Sequence, residues 1–172
     1  MNITGGKYNG RKIQAPPESI VRPTLSKVRM SVFNTLYSLL GDFENLSFLD
    51  MFGGSGIMGL EALSRGFKDV VVFEKNRKVA EILRANYKIL DIEPKLFIGD
   101  SINLYKKINK TFDVIYVDPP YMSDAYQKCL EIISDAKIIV LEHTTEINTD
   151  KFTVIKQKKY GDKYLTFLKG NL

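Results

Sequence analysis

The stretch LDMFGGSGIMGLEA, residues 49–62, decides the fold of this chain. Its apolar start ends in an acid, Asp50, and a glycine-rich turn then leads into a segment with helical spacing. Gly54, Gly56 and Gly59 complete the pattern G-x-G-x-x-G between that strand and that helix, and Glu74 follows 20 residues after Gly54. This arrangement is typical of a site for an adenosine-containing cofactor, in which the acid accepts hydrogen bonds from ribose hydroxyls. It leaves the identity of that cofactor open.

Apolar strands and helical segments alternate on both sides of this turn. Strands are predicted at 46–50, 69–74, 95–99, 112–117 and 137–141, and helices at 28–40, 57–65, 76–90, 101–107 and 123–134. Continuous apolar strands separated by helices predict a parallel sheet covered on both faces. The segments FTVIKQ and KYLTFLK follow with no helix between them, which predicts an antiparallel hairpin at the sheet edge. NITGGKYNGRKIQA, at the start, predicts a small N-terminal β-hairpin.

The composition limits the class of protein. A chain of 172 residues is long enough for one domain with one core. A single cysteine, Cys129, and a single histidine, His143, give little material for a disulfide, a zinc cluster or a Cys–His nucleophile pair, and both residues are interpreted as structural. The sequence has no apolar run of membrane-spanning length and no signal-peptide pattern at its start. We therefore expect a cytoplasmic protein.

The net charge of +5 is concentrated at the two ends. Residues 1–29 hold six Lys and Arg against one acid, and residues 151–172 hold six Lys against one acid, whereas the middle is net acidic. Basic ends on an acidic centre predict a polyanionic partner. All six cations of residues 1–29 are expected to lie outside the α/β core. For the C-terminal lysines, a solvated surface is an equally good interpretation.

A second motif, VDPPY at 117–121, ends the fourth predicted strand. Two prolines in succession cannot continue a sheet ladder, and they restrict the residues before them to extended geometry. Asp118 and Tyr121 are therefore predicted to be held at the mouth of a strand by stiff backbone. A rigid turn is the alternative interpretation of these residues.

Together, DMFGGSG, FEKN, GD after the third strand and DPPY resemble the S-adenosylmethionine-dependent methyltransferases of the Rossmann-like class. The start GGKYNGRK…RPT…VRMSVFN and the segment GLEALSRG resemble the bacterial small-subunit (16S) rRNA guanine-N2 methyltransferases, and this similarity covers nearly the whole chain. It implies a Rossmann-like methyltransferase fold with a seven-stranded, mainly parallel sheet in one domain, 1–172. Residues 1–20 would then be an RNA-gripping extension and 21–172 the catalytic core. The implied cofactor is S-adenosyl-L-methionine and the implied partner is 16S rRNA or an assembling small subunit, bound by a monomer that needs no metal.

The resemblance also implies roles for individual residues. Asp50 and the loop Phe52, Gly53, Gly54, Ser55 and Gly56 would cradle the methionine part of the cofactor. Glu74, followed by Lys75, would accept the ribose hydroxyls, and Asp100 with Ser101 would contact adenine, while Asp100 could also cap the helix 101–107.

Catalysis is predicted at Asp118, Pro119, Pro120 and Tyr121. The carboxylate and a proline carbonyl would hold the hydrogens of a guanine amino group, and the tyrosine would stack on an extruded base. RNA binding is predicted at Lys7, Arg11, Lys12 and Arg22.

Three alternatives remain open on the sequence alone. An adenine-N6 DNA methyltransferase would use the same DPPY logic, but the chain has no room for an additional target-recognition region. A nonenzymatic RNA-binding or ribosome-assembly module would leave Glu74, Asp100 and DPPY without a role. An NAD oxidoreductase would need a further catalytic segment.

Overall fold

The computed structural model describes residues 1–17, 24–120 and 124–172. In chain order the elements are α1 (Ser26–Leu40), β1 (Ser47–Asp50), α2 (Ile57–Ser64), β2 (Asp69–Glu74), α3 (Arg77–Lys88), β3 (Lys95–Ile98), α4 (Ser101–Lys107), β4 (Val114–Val117), α5 (Ala125–Ile132), β5 (Ile138–His143), β6 (Thr153–Tyr160) and β7 (Lys163–Lys169). All these elements were predicted, with ends that differ by a few residues. The fifth predicted strand extends further than expected and includes Glu142 and His143.

The strands form one seven-stranded sheet in the order β3-β2-β1-β4-β5-β7-β6. β3, β2, β1, β4 and β5 pair in parallel, and β7 pairs antiparallel with both β5 and β6. The predicted α/β fold with an antiparallel edge hairpin is confirmed. The strand order reverses between β1 and β4, and a crevice at the carboxyl ends of the strands is expected at such a point.

Helices cover both faces of the sheet, as predicted. On one face, apolar side chains of α1, α2 and α3 pack on Phe48, Val72 and Tyr116. On the other face, side chains of α4 and α5, including Cys129, pack on Leu49, Ile115 and other strand residues. Almost all side chains of β4 and β5 are buried because both faces are covered, which explains their continuous apolar sequence.

The N-terminal segment folds back on itself as a short hairpin. Asn2 and Lys12 form one antiparallel bridge, and the Ile3 amide donates to the Arg11 carbonyl at 3.0 Å. Beyond this bridge the hairpin forms no further strand ladder within residues 1–17. Ile3 and Ile13 are instead buried in the core of the α1–α3 face, and the segment bonds mainly to helices. It is therefore integrated with the domain.

The expectation that all six cations of residues 1–29 lie outside the core is wrong for one of them. Arg29 is fully buried in α1, where its Nε lies 3.2 Å from Glu61 Oε1. Its guanidinium also donates to the carbonyl of Asn2 at 2.8 Å. Arg29 therefore holds the N-terminal segment in place and is not available to a polyanion.

Within the described part of the chain, no helix is both long enough and apolar enough to cross a membrane.

Candidate active site

A cavity of about 1000 Å³ lies at the carboxyl ends of the parallel strands, at the point where the strand order reverses. Its walls contain most of the site residues predicted from the sequence: Asp50, Phe52, Gly53, Gly54, Ser55, Glu74, Lys75, Asp100, Ser101, Asp118, Pro119 and Pro120. Gly56 lies just behind this wall as the N-cap of α2. Tyr121 and Arg22, also predicted, lie outside the described residues. The cavity is at the upper end of the usual range for ligand pockets.

Asp50 is the deepest carboxylate of the cavity and is almost fully buried. Burial raises its pKa to about 7, and the nearby Glu74 carboxylate acts in the same direction. The Phe52 amide, which donates to Asp50 Oδ1 at 3.1 Å, partly opposes this rise. A carboxylate in this environment is stabilised in its charged form by a cationic ligand.

The glycine loop has its shape because of close packing behind it. A Cβ on Gly53 would lie 2.3 Å from Val72 Cγ1, and Gly56 has a φ of 81°, which side-chain-bearing residues rarely adopt. Asn86 secures the loop, since its Nδ2 donates to the carbonyls of Ser55 at 2.9 Å and Gln14 at 2.8 Å. These glycines are therefore required by the protein's own packing, whether or not a ligand also approaches the loop.

Glu74, at the end of β2, is oriented by two backbone amides. Gly54 N donates to one carboxylate oxygen at 2.9 Å and Asn76 N donates to the other at 2.7 Å. A carboxylate offers about four lone-pair positions, so both oxygens can still accept a further hydrogen bond. Glu74 is thus fixed with two acceptor positions available for a diol.

Asp100 and Ser101 follow β3. Asp100 is the N-cap of α4 and accepts from Asn103 N at 3.2 Å, so the capping role anticipated from the sequence is present. Lys75 Nζ lies 3.6 Å from the Asp100 carboxylate. The Ser101 hydroxyl donates to the Met51 carbonyl at 2.5 Å, which ties the start of α4 to the end of β1.

Asp118 directly follows β4, whose residues are all buried, and Pro119 is buried as well. Beneath them lies a polar network that sequence reasoning missed. The Tyr116 hydroxyl donates to Glu142 Oε2 at 2.5 Å, and the Lys163 ammonium forms an ion pair with the other oxygen of Glu142. Burial, with the charges of Glu142 and Asp118, raises the pKa of Tyr116, so it remains a donor.

Two of these three residues line the cavity, Tyr116 and Lys163. Glu142 could have been predicted from the sequence, because it is an acid at the end of an apolar strand, like Asp50 and Glu74. Lys163 had no comparable signal among the C-terminal lysines.

The remaining predicted RNA-binding residues do not line the cavity. The Lys7 amide bonds to the Ser64 carbonyl at 2.7 Å, at the end of α2 opposite the cavity. The Arg11 guanidinium donates to the Ile89 carbonyl at 3.2 Å, just past the corresponding end of α3. At 1.5 Å per helical residue, the Lys7 contact is about 10 Å from the start of α2 at the cavity. Arg11 is nearer the glycine loop than the length of α3 suggests, because Asn86, near that end of α3, donates to the Ser55 carbonyl. Lys12 is exposed beside them.

The fold and this site define the class, a Rossmann-like methyltransferase fold with a cavity at its topological switch point. A solved Escherichia coli structure, titled "Putative methyltransferase yhhF", matches with a TM-score of 0.85 at 24% identity and covers 100% of this chain and 99% of that one. Residues 1–169 match the model of the family Conserved hypothetical protein 95. The chain belongs to that family.

Its curated relatives agree with the resemblance found in the sequence. A Bacillus subtilis protein named "Putative rRNA methyltransferase YlbH" is 30% identical, and the match covers 94% of each chain. "Ribosomal RNA small subunit methyltransferase D" of Buchnera aphidicola is 31% identical over 91% of this chain and 78% of its own length. The predicted membership in this group of methyltransferases is confirmed.

Proposed function

We propose that this protein transfers the methyl group of S-adenosylmethionine to the exocyclic N2 amine of a guanine in small-subunit rRNA. The observation that carries the proposal is the position of Asp118 and its two prolines on the wall of the same cavity as Asp50 and Glu74. A cofactor site and an amine-binding motif thus face one space. The family adds the substrate class, because its curated relatives include proteins named as small-subunit rRNA methyltransferases.

The residues of the cavity fit the proposed cofactor. Glu74 keeps acceptor positions for the two ribose hydroxyls, and the buried Asp50 is suited to a cationic group. Asp100 and Ser101 lie on the wall beyond Glu74, where an adenine would be held. When bound, S-adenosylmethionine supplies an electrophilic methyl group on a positively charged sulfur.

Asp118 holds the amino group of the substrate in the proposed mechanism. The lone pair of a guanine amino group is delocalised into the ring, so the amine is a weak nucleophile until its hydrogens are held. The Asp118 carboxylate and the Pro119 carbonyl accept those hydrogens and direct the lone pair at the methyl group. The stiff DPP backbone holds both acceptors before the base arrives, so less ordering is needed during reaction. The amine loses its proton to the Asp118 carboxylate or to water during or after transfer.

The buried network under β4 supports this position. Tyr116 precedes Asp118 by two residues on the same strand, and its hydroxyl is fixed by Glu142, which Lys163 neutralises. The end of β4 is therefore held by side-chain bonds as well as by the sheet ladder. A rigid strand end keeps the acceptors aligned.

The single cysteine and the single histidine do not offer a competing mechanism. Burial raises the pKa of the Cys129 thiol to about 12, so it does not supply a thiolate. Both ring nitrogens of His143 are engaged, by the Thr145 carbonyl at 2.7 Å and the Thr166 hydroxyl at 2.8 Å. Direct transfer to an amine held by acceptors requires neither residue.

Labelled methyl transfer tests the proposal. The protein is incubated with radiolabelled S-adenosylmethionine and, separately, naked small-subunit rRNA, assembled small subunits and duplex DNA, and the products are digested to nucleosides. We expect label in N2-methylguanosine from an RNA substrate. Label in N6-methyladenine from DNA, or no transfer to any substrate, would refute the proposal. We also propose that the protein acts in the cytoplasm and that it is a monomer. Light scattering of the purified protein checks the oligomeric state.

A further inference from the structure

The turn between β6 and β7 lies at the mouth of the cavity. β7 runs antiparallel to β5, and its second residue, Tyr164, pairs with His143 at the carboxyl end of β5. Lys163, the first residue of β7, lines the cavity itself. The turn residues Gly161 and Asp162 are exposed. This turn is therefore at the same edge of the sheet as Asp118.

Aromatic rings and a cation are layered on one side of this turn. The Lys159 ammonium lies 5.3 Å from the centre of the Tyr164 ring, which stacks on His143 at 5.6 Å with an interplanar angle of 24°. The edge of the layer is closed by Tyr126 of α5, 6.2 Å from His143. Since both ring nitrogens of His143 are hydrogen-bonded, the layer has a fixed base. His143 of β5 and the Lys159 ammonium of β6 flank the Tyr164 ring of β7, so the exposed Lys159 is the part of the layer that a ligand can reach.

The other side of the turn is fastened to α1. The Tyr160 hydroxyl bonds to Ser31 at 2.5 Å, and the Lys158 ammonium donates to the Thr35 hydroxyl at 2.9 Å. The first turn of α1, with the exposed Lys27, therefore lies on the same side of the cavity as the β6–β7 turn. Thr24, just before α1, lines the cavity.

We propose that Lys27 and Lys159, together called the mouth surface, bind the RNA backbone next to the nucleotide that enters the cavity, with Lys159 held over the Tyr164 ring. This inference rests on the proposed function. RNA is commonly recognised as splayed single-stranded segments, through phosphate contacts from cations and stacking on aromatic rings. The mouth surface brings two cations to the edge of the sheet where Asp118 lies, whereas Lys7 lies at the opposite end of α2. The nucleotides nearest the reacting base are therefore held by the C-terminal hairpin.

A matched pair of variants tests this inference. Lys159 and Lys169 are exposed lysines of the same hairpin, and Lys169 ends β7 at the opposite edge of the sheet, about 20 Å away by strand length. Lys159→Gln should raise the KM for transcribed small-subunit rRNA about threefold to tenfold. It should also reduce the slope of log affinity against log salt by about 0.7–0.9, the effect of one lost phosphate contact. Lys169→Gln should change neither value.

Further variants separate charge from fold. Asp162→Asn removes the acid of the same turn and should strengthen RNA binding. Lys159→Arg keeps the positive charge, so it should retain the RNA binding that Lys159→Gln loses. The affinity for S-adenosylmethionine and the melting temperature should stay at wild-type values in all four variants.

Equal RNA affinity of the Lys159→Gln and Lys169→Gln proteins would overturn the inference and leave the proposed function intact if the wild type methylates RNA. A wild type that transfers no methyl group to RNA would overturn both.

Discussion

Single acids placed at strand ends carry the chemistry that we propose for this protein. Asp50 and Glu74 are the last residues of β1 and β2, and Asp118 directly follows β4. Neighbouring parallel strands end at the same edge, so three acids far apart in sequence face one cavity. Their environments differ: Asp50 is buried, Glu74 is held by backbone amides, and Asp118 is fixed by prolines. Each environment suits a different part of the reaction.

Replacing Asp118 should remove most of the catalysis. Asp118→Ala deletes an acceptor that acts mainly in the transition state, so kcat should fall about 10²–10³-fold. The affinity for the cofactor should stay within about twofold, which calorimetry measures. Asp42→Ala, at an exposed acid near the opposite edge of the sheet, is the matched control. Near-normal turnover by Asp118→Ala would mean that the acid only forms a turn.

Asp50 should make cofactor binding depend on pH. Its pKa in the free protein is raised to about 7, and a cationic ligand favours its charged form. Binding therefore releases a proton below pH 7, and the affinity should rise about tenfold between pH 6 and pH 8 before it levels off. Calorimetry across this range checks the rise, and Asp50→Asn should give a flat profile. An unchanged pH profile in Asp50→Asn would show that another group is responsible.

The same shift predicts how stability changes with pH in the free protein. The folded pKa of Asp50 lies above the unfolded value of 3.8, so the folded state binds this proton more tightly. The contribution of Asp50 to the free energy of unfolding therefore decreases as pH rises from about 4 to about 7. Urea denaturation should show that Asp50→Asn lacks this decrease. A wild-type decrease that persists in the variant would contradict the assignment.

At the level of elements, α2 and α3 meet at a contact too tight for a side chain. A Cβ on Gly59 of α2 would lie 2.2 Å from the Tyr87 hydroxyl of α3 and 2.9 Å from Val72 Cγ2. The Tyr87 hydroxyl is buried and has no hydrogen-bond partner among the described residues. The hydroxyl therefore fills space without making a polar contact.

A double-mutant cycle measures this contact. Gly59→Ala should destabilise the protein by about 1–3 kcal/mol, even though alanine is the better helix former. Tyr87→Phe should be neutral or stabilising by up to about 1 kcal/mol, because it removes a buried, unpaired hydroxyl. In the double variant the cost of Gly59→Ala should shrink. Additive effects in urea denaturation would show that the two residues do not press on each other.

The elements could be predicted from the sequence because each is marked locally. Buried strands are continuous apolar runs, and acids or glycines mark their carboxyl ends. Glu74 was found from its spacing to Gly54, and Asp118 from the two prolines that follow it at the end of a strand. Contacts between residues far apart in the sequence could not be predicted from local patterns. The burial of Arg29 depends on Glu61, and the exposure of Lys159 depends on how β6 pairs with β7. Gly53 was assigned to the cofactor and Gly59 was read only as part of the glycine pattern, whereas close packing on Val72 and Tyr87 also requires a glycine at each position.

At the scale of the whole molecule, Lys7, Arg11 and Lys12 of the N-terminal hairpin do not line the cavity. If they bind RNA, their contacts are with parts of the RNA outside the cavity. Changing all three to Gln should therefore weaken binding of long rRNA fragments and reduce the salt slope by about 0.7–0.9 per lost contact. Binding of a short oligonucleotide and of the cofactor should be unaffected. Unchanged affinity for long RNA would end the assignment of residues 1–20 as an RNA grip.

The strand order has a consequence for how the chain folds during synthesis. β7 lies between β5 and β6, so β6 has no neighbour in the sheet until β7 has left the ribosome. Until then β5, which is wholly apolar until Glu142, is an open edge, and Glu142 lacks the cation that neutralises it. A nascent chain that stops after β6 therefore loses two strands instead of one, and it exposes a surface that chaperones and proteases recognise.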